Sequence, residues 1–302
     1  MGRFGAVVTA MITPFDATGG VDLTVACELS RWLEDNGSDA LVVAGTTGEA
    51  PVLSDAEKID LWRAVSEAVD IPVIAGSGTA DTKHSIELTR AAEQAGVAGA
   101  LVVAPYYNRP SQAGLFEHFR SVAGATSLPV MIYDIPARTG RKISSDTILR
   151  LAREVPNVVA LKDAAGDVTG TSLLLARAPG DFDVYSGDDA LTLPLLAVGA
   201  VGVVSVASHW VGPEIGEMIS AFSKGDVERA RELNAMLVDA VAFQSSEAYP
   251  NPLPAKAVCR ALGFEVGQCR LPLGSAPTEL DDSARKLLES LAVARRGGGG
   301  LG

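Results

Sequence analysis

Short apolar runs alternate with longer stretches of helical periodicity along most of this chain. The first run, residues 6–12, stops at Thr13-Pro14. Asp22 is placed to cap a helix in which Val25, Leu29, Trp32 and Leu33 fall at i, i+4, i+7 and i+8, with Gly37 as terminator. A second run, 40–44, leads into Gly45-Thr46-Thr47-Gly48-Glu49. Ser54 and Glu57 then form the capping box of a helix carrying Leu61, Val65, Ala68 and Val69. The unit repeats in run 72–75 with a helix over 81–95, and in run 100–104 with Pro105-Tyr106-Tyr107-Asn108 and a helix through Leu115, Phe119 and Val122. Run 130–133 precedes Asp134-Ile135-Pro136-Ala137-Arg138-Thr139-Gly140 and a helix opened by Ser145. Runs 158–162, 183–186 and 202–206 are the sixth, seventh and eighth.

Eight strand-like runs separated by helices predict an α/β fold, a (β/α)8 barrel, which needs about 250 residues. A doubly wound open sheet is the competing architecture, but it usually carries a Gly-rich dinucleotide turn after its first strand. Thr13-Pro14-Phe15-Asp16 is not such a turn. After the eighth unit, helical patterns at 213–222, 227–243, 254–262 and 278–295 follow without strands between them. The expected organisation is a catalytic barrel over 1–224, a C-terminal helical domain over 225–296 and a flexible tail over 297–302.

Composition narrows the function classes. With 47% hydrophobic and 21% charged residues in 302, the chain is globular. A formal charge of −12 argues against nucleic acid or an anionic membrane as partner, since both need a positive footprint. Cys27, Cys259 and Cys269 lack CxxC spacing, so neither a disulfide framework nor a zinc site is indicated. No run approaches the roughly 18 apolar residues of a membrane span. The N-terminus shows no convincing signal h-region. A soluble, cytoplasmic protein is expected.

In barrels of this kind the active site lies at the C-terminal strand ends. Those ends carry Thr46 and Thr47, Tyr106 and Tyr107, Tyr133 with Arg138 just beyond, Lys162, Gly187 and Asp188, and Val204 with Ser205. Lys162 stands out, because of seven lysines it alone closes an apolar run. Taken alone it also reads as a stem that snorkels to water. Beside several hydroxyls and a guanidinium it reads as a nucleophilic amine. At a pKa near 10.4 only about one lysine in a few thousand is neutral at pH 7, and desolvation by Val158, Val159 and Leu161 raises that share. A lysine amine forms a Schiff base with a ketone or aldehyde, an electron sink for the adjacent carbon–carbon bond. Tyr133 fits as acid/base and Arg138 as a bidentate carboxylate clamp, although each also reads as an ordinary packing or ion-pair residue. Asp188-Asp189 resembles a metal site. With only His84, His118 and His209 available, and just the last near a strand end, metal and Ser-His-Asp chemistries are poorly supported.

The motifs Gly45-Thr46-Thr47-Gly48-Glu49, Pro105-Tyr106-Tyr107-Asn108, Tyr133-Asp134-Ile135-Pro136, Leu161-Lys162-Asp163, Ser186-Gly187-Asp188-Asp189 and Asn251-Pro252-Leu253-Pro254-Ala255-Lys256 carry a resemblance over residues 7–273. Together they resemble the family of pyruvate-dependent class I aldolases that includes dihydrodipicolinate synthase and N-acetylneuraminate lyase. The second threonine of the Gly-Thr-Thr-Gly-Glu turn, Tyr106-Tyr107-Asn108 and Arg138-Thr139-Gly140 are closer to the synthase branch.

The resemblance implies a Schiff base between Lys162 and pyruvate. It implies Tyr133 as proton donor and acceptor, relayed through Thr46 and through Tyr107 of a neighbouring subunit. It places Thr47 and backbone near Val204 at the pyruvate carboxylate and Arg138 at the carboxylate of L-aspartate 4-semialdehyde, with Gly187 also expected to bind substrate. No metal or organic cofactor and a homotetramer built as a dimer of dimers are also implied. Where lysine-inhibited members bind lysine, this chain has Ala50, Pro51, Asp55, Lys58, Ala80 and His84, so weak or absent lysine feedback is expected. An aldolase for another 2-oxo acid, such as a sugar acid, and a homologue without turnover are the alternatives.

Overall fold

The computed structural model describes residues 2–244 and 246–297. Eight parallel strands close into a barrel: β1 (Val7–Ala10), β2 (Ala40–Val43), β3 (Val73–Gly76), β4 (Gly99–Val103), β5 (Val130–Asp134), β6 (Val158–Asp163), β7 (Asp183–Ser186) and β8 (Gly202–Ser205). Each pairs with the next, and β8 returns to β1 through Val8 and Val204. Both faces of these strands are covered, one by the helices and one by the barrel's own interior, which is why they read as continuous apolar runs. Val8, Val42, Ile74, Met131, Tyr133 and Tyr185 meet inside.

One irregularity matters for the chemistry. Val130 pairs with Val158 but Met131 with Ala160, so β6 carries one extra residue at Val159. From there the alternation restarts, with Ala160 in the interior cluster and Leu161 in the outer one. Lys162 therefore points inward beside Tyr133, its partner in register, and Asp163 points outward.

The helices start where short polar side chains accept orphan backbone N–H groups. Asp22 caps α1 (Leu23–Asp35), and Ser54 with Glu57 forms the capping box of α2 (Asp55–Ala68). Asp81 caps α3 (Thr82–Gln94) and Ser111 caps α4 (Gln112–Ala123). A short α5 (Pro136–Thr139) precedes α6 (Ser145–Glu154), whose cap is Ser144. Next come α7 (Val168–Leu175), capped by Asp167, and α8 (Thr192–Ala197). The sequence reading left out α5, α7 and α8, which are too short to show a helical period. It also began α9 (Ser208–Ser223) at 213; the helix starts earlier and kinks at Val211, just before Pro213.

α10 (Val227–Ala242) packs on α9, and α11 (Leu253–Ala261) on α12 (Thr278–Gly297). A single apolar cluster runs from Met11 and Leu29 through Trp210 to Leu233, Val258 and Leu280, joining these helices to the barrel. Of the tail expected over 297–302, Gly297 closes α12 and 298–302 lie outside the described residues. No described helix is long and apolar enough to cross a membrane.

Candidate active site

Lys162 is only 5% exposed, and its Nζ lies 4.3 Å from the centroid of the Tyr133 ring. Burial pushes the amine down to about 8; the Asp189 carboxylate opposes that shift and the Arg138 guanidinium adds to it. At pH 7 this leaves roughly one amine in ten free, against about one in a few thousand for an ordinary lysine. Its location thus leaves part of the amine neutral and able to act as a nucleophile.

Tyr133 is equally buried, and burial pushes its hydroxyl up to about 12, so the proton stays on and can be donated. Thr46, in the turn after β2, opposes that shift and lines the same cavity as Tyr133. The turn is tight. Ala44 (φ 55°) and Glu49 (φ 58°) both occupy the left-handed region, and a side chain at Gly48 would stand 3.1 Å from Ala44 backbone and from Met11 O. Thr47 is buried next to Thr46, and its Oγ1 accepts from Asn251 Nδ2 at 3.0 Å.

Arg138 stands exposed on α5, with Nη2 3.5 Å from Asn251 O. Thr46, Tyr133 and Arg138 line a cavity of about 370 Å³. Lys162 lies against the Tyr133 ring rather than in that cavity wall. Val204 faces the barrel interior on β8, and Gly187 donates its N–H to Asp163 O at 2.7 Å. A Cβ at Gly187 would stand 2.8 Å from that of Ala164, so only glycine lets β7 end this close to the turn after β6.

Tyr107, expected to reach in from a neighbouring subunit, is not part of this group within its own chain. It is 93% exposed, with φ 72°, and does not line the cavity. Ala50, Pro51, Asp55, Lys58 and His84 also line this cavity. There His84 Nε2 lies 2.9 Å from Asp55, burial lowers the Lys58 pKa, and Ala80 offers its carbonyl to Asn108.

Sequence reasoning missed Asp189. It is buried, and its carboxylate accepts from Ser205 Oγ, from Val206 N–H at 2.9 Å and from Ala207 N–H at 3.4 Å. What read as a metal-like pair is a brace for the end of β8, while Asp188 caps the 3-10 turn that follows through Ala190 N–H. Among the described residues no group of three His, Cys, Asp or Glu side chains could hold a metal ion. Asn251 was also missed as a site residue, although the motif containing it was noted. Its partner lies 204 positions away, beyond any local pattern.

The arrangement can form a carbonyl adduct on a partly neutral amine, deliver a proton from a buried phenol and hold an anionic substrate with a guanidinium. A model of the dihydrodipicolinate synthetase family matches residues 3–291. The chain is 49% identical over 290 residues to a 4-hydroxy-tetrahydrodipicolinate synthase of Desulforamulus reducens, covering 95% of this chain and 97% of that one. It is 48% identical over 275 residues to one of Bacillus subtilis, covering 90% and 93%. Among solved structures, it superposes on dihydrodipicolinate synthase from Bacillus anthracis with TM-score 0.91, at 46% identity and 96% and 99% coverage. The enzyme from Cyanidioschyzon merolae with lysine bound gives TM-score 0.92, at 44% identity and 95% and 97% coverage.

Proposed function

The chain belongs to the dihydrodipicolinate synthetase family, and from that premise we propose how its residues condense pyruvate with L-aspartate 4-semialdehyde to 4-hydroxy-tetrahydrodipicolinate, a step of lysine biosynthesis. The Lys162 amine adds to the ketone carbon of pyruvate. Tyr133 donates a proton to the oxygen, which leaves as water, and an iminium remains. The iminium draws electrons from the neighbouring methyl group, so Tyr133, left as a phenolate, takes a proton from it, which gives an enamine and restores the phenol. The enamine carbon attacks the aldehyde of the second substrate, whose oxygen takes up a proton from Tyr133. The amino group of the adduct then attacks the iminium carbon, closes the ring and releases Lys162. The iminium is its own electron sink, so no cofactor enters any step.

Thr46 passes protons to and from Tyr133, together with Tyr107 of a neighbouring subunit. The Thr47 hydroxyl and backbone at Val204 and Gly187 hold the pyruvate carboxylate, and Arg138 takes the carboxylate of the semialdehyde. One observation carries the reading: the buried Lys162 amine lies 4.3 Å from the centroid of the Tyr133 ring, and Tyr133 shares a cavity with Thr46 and Arg138.

The exposure of Tyr107 on a left-handed turn supports an assembly in which it completes the site of another copy, a homotetramer built as a dimer of dimers. Three free cysteines support a reducing compartment, the cytoplasm. The Lys58 ammonium beside the Asp55–His84 pair disfavours a second ammonium, which supports weak or absent lysine feedback. Sodium borohydride with pyruvate, followed by peptide mass analysis, tests the central step. A pyruvate-derived mass on Lys162, with turnover of aspartate semialdehyde, is the expected result. An unmodified Lys162 would refute it.

A further inference from the structure

Three residues of the turn after β2 are held by three distant parts of the chain. Thr13 Oγ1 donates to Gly48 O at 2.6 Å, and Asn251 Nδ2 donates to Thr47 Oγ1 at 3.0 Å. Glu49 reaches α11, where Lys256 Nζ lies 2.7 Å from its Oε1, while its Oε2 accepts the Arg270 backbone N–H at 2.9 Å. Glu49 and Lys256 are 2% and 1% exposed. The Lys256 ammonium also donates to Gln268 O at 3.0 Å and lies 4.0 Å from the centroid of the Phe15 ring. Arg270 covers the same ring and donates to Val52 O and Glu57, just past the turn.

A buried ion pair is a poor way to gain stability, because desolvating both charges offsets their attraction, and apolar residues of similar volume often do as well. What this pair supplies is a fixed point. Glu49 sits in the left-handed region three residues after Thr46, and its N–H closes the turn onto Thr46 O at 3.1 Å. Strained backbone of this kind persists only where its surroundings over-determine it. Thr46 needs that constraint, since its hydroxyl must meet Tyr133 across the mouth of the barrel.

We propose that Glu49 and Lys256 are positioning residues for the reaction: the C-terminal helices, through this buried pair, hold the β2 turn so that Thr46 meets Tyr133 and Thr47 faces the substrate carboxylate. The inference rests on the proposed roles of Lys162, Tyr133, Thr46 and Thr47. It makes the helical appendix part of the catalytic apparatus rather than a separate covering. Neither residue lines the cavity shared by Thr46 and Tyr133.

The test uses the full chain and the double variant Glu49→Gln/Lys256→Met, which keeps volume and leaves no lone buried charge. Turnover is normalised to sites trapped by borohydride with pyruvate, so unfolded protein is not counted. The expected result is a thermal midpoint near that of the wild type, a kcat per trapped site lower by tenfold or more, and a raised KM for pyruvate. A smaller fall in kcat overturns the proposal, because a merely structural pair would change the midpoint and leave per-site turnover alone. If the double variant does not fold, Lys256→Arg, which keeps the charge and alters the reach, is judged by the same tenfold criterion. A wild-type chain that traps no pyruvate overturns the functional reading and this inference with it. A variant that traps pyruvate and turns over normally overturns only the positioning role.

Discussion

Replacing Lys162 with methionine removes the proposed nucleophile and relieves a burden on the fold. The amine has a pKa of about 8 in the folded chain against 10.5 for the free side chain, with burial as the largest cause. Below pH 8 the folded state holds a charged ammonium that the unfolded chain solvates better. Each tenfold loss of proton affinity corresponds to about 1.4 kcal/mol, so the penalty is roughly 3 kcal/mol at pH 7. Between pH 8 and 10.5 the unfolded chain binds the proton that the folded one has lost, so wild-type stability rises with pH there relative to the variant. Lys162→Met is therefore expected to be inactive and untrappable by borohydride, yet more stable than wild type by about 3 kcal/mol at pH 7. The advantage should shrink steadily from pH 8 towards 10.5. Thermal melts of both proteins without pyruvate, from pH 7 to 10, measure it, with roughly 2–4 °C per kcal/mol for chains of 150–250 residues. A variant that melts below wild type at pH 7, or a difference that does not change with pH, would refute the claim that burial depresses this amine.

Tyr133→Phe keeps the ring beneath Lys162 but removes the proton, so kcat should fall by about 10² to 10⁴ while borohydride still traps pyruvate slowly; steady-state and trapping rates check this, and unchanged kcat would exclude Tyr133 as acid/base. Asp134, at the end of β5, is raised to about 7, mainly by burial. Between its ordinary 3.8 and that value the folded state keeps a proton that the unfolded chain has released, so stability falls as pH rises through this window. Asp134→Asn, which can still accept the Ile143 N–H, should melt higher than wild type at pH 8, by up to about 4 kcal/mol in stability, with the gap narrowing towards pH 5. A gap of the same size at both pH values would contradict this. Millimolar L-lysine should leave activity within about twofold, because the Lys58 side of the cavity already carries an ammonium; near-complete inhibition in a coupled assay would overturn it.

The eight strands were legible because each is buried on both faces and so writes an apolar run. The early helices were legible because their caps, such as Asp22 and the Ser54–Glu57 box, lie within three residues of the groups they satisfy. Lys162 was legible for the same reason: a cation closing such a run is locally anomalous. Local patterns reach no further than a helical turn or a strand, and the resemblance that named Tyr133, Thr46 and Arg138 rested on motifs of that length.

Everything that brings those residues together is long-range. Closing the barrel sets Lys162 beside Tyr133 in register, and the extra residue at Val159 turns the amine inward. Asp189 braces Val206 and Ala207 from 17 and 18 positions away. Thr47 waits for Asn251, and Glu49 for Lys256, more than two hundred residues later in the chain. The cost of burying an ammonium or a carboxylate depends on what surrounds it in space. The chain therefore determined which residues could react, and the packing of its distant parts decided their protonation, their partners and the strain that holds them.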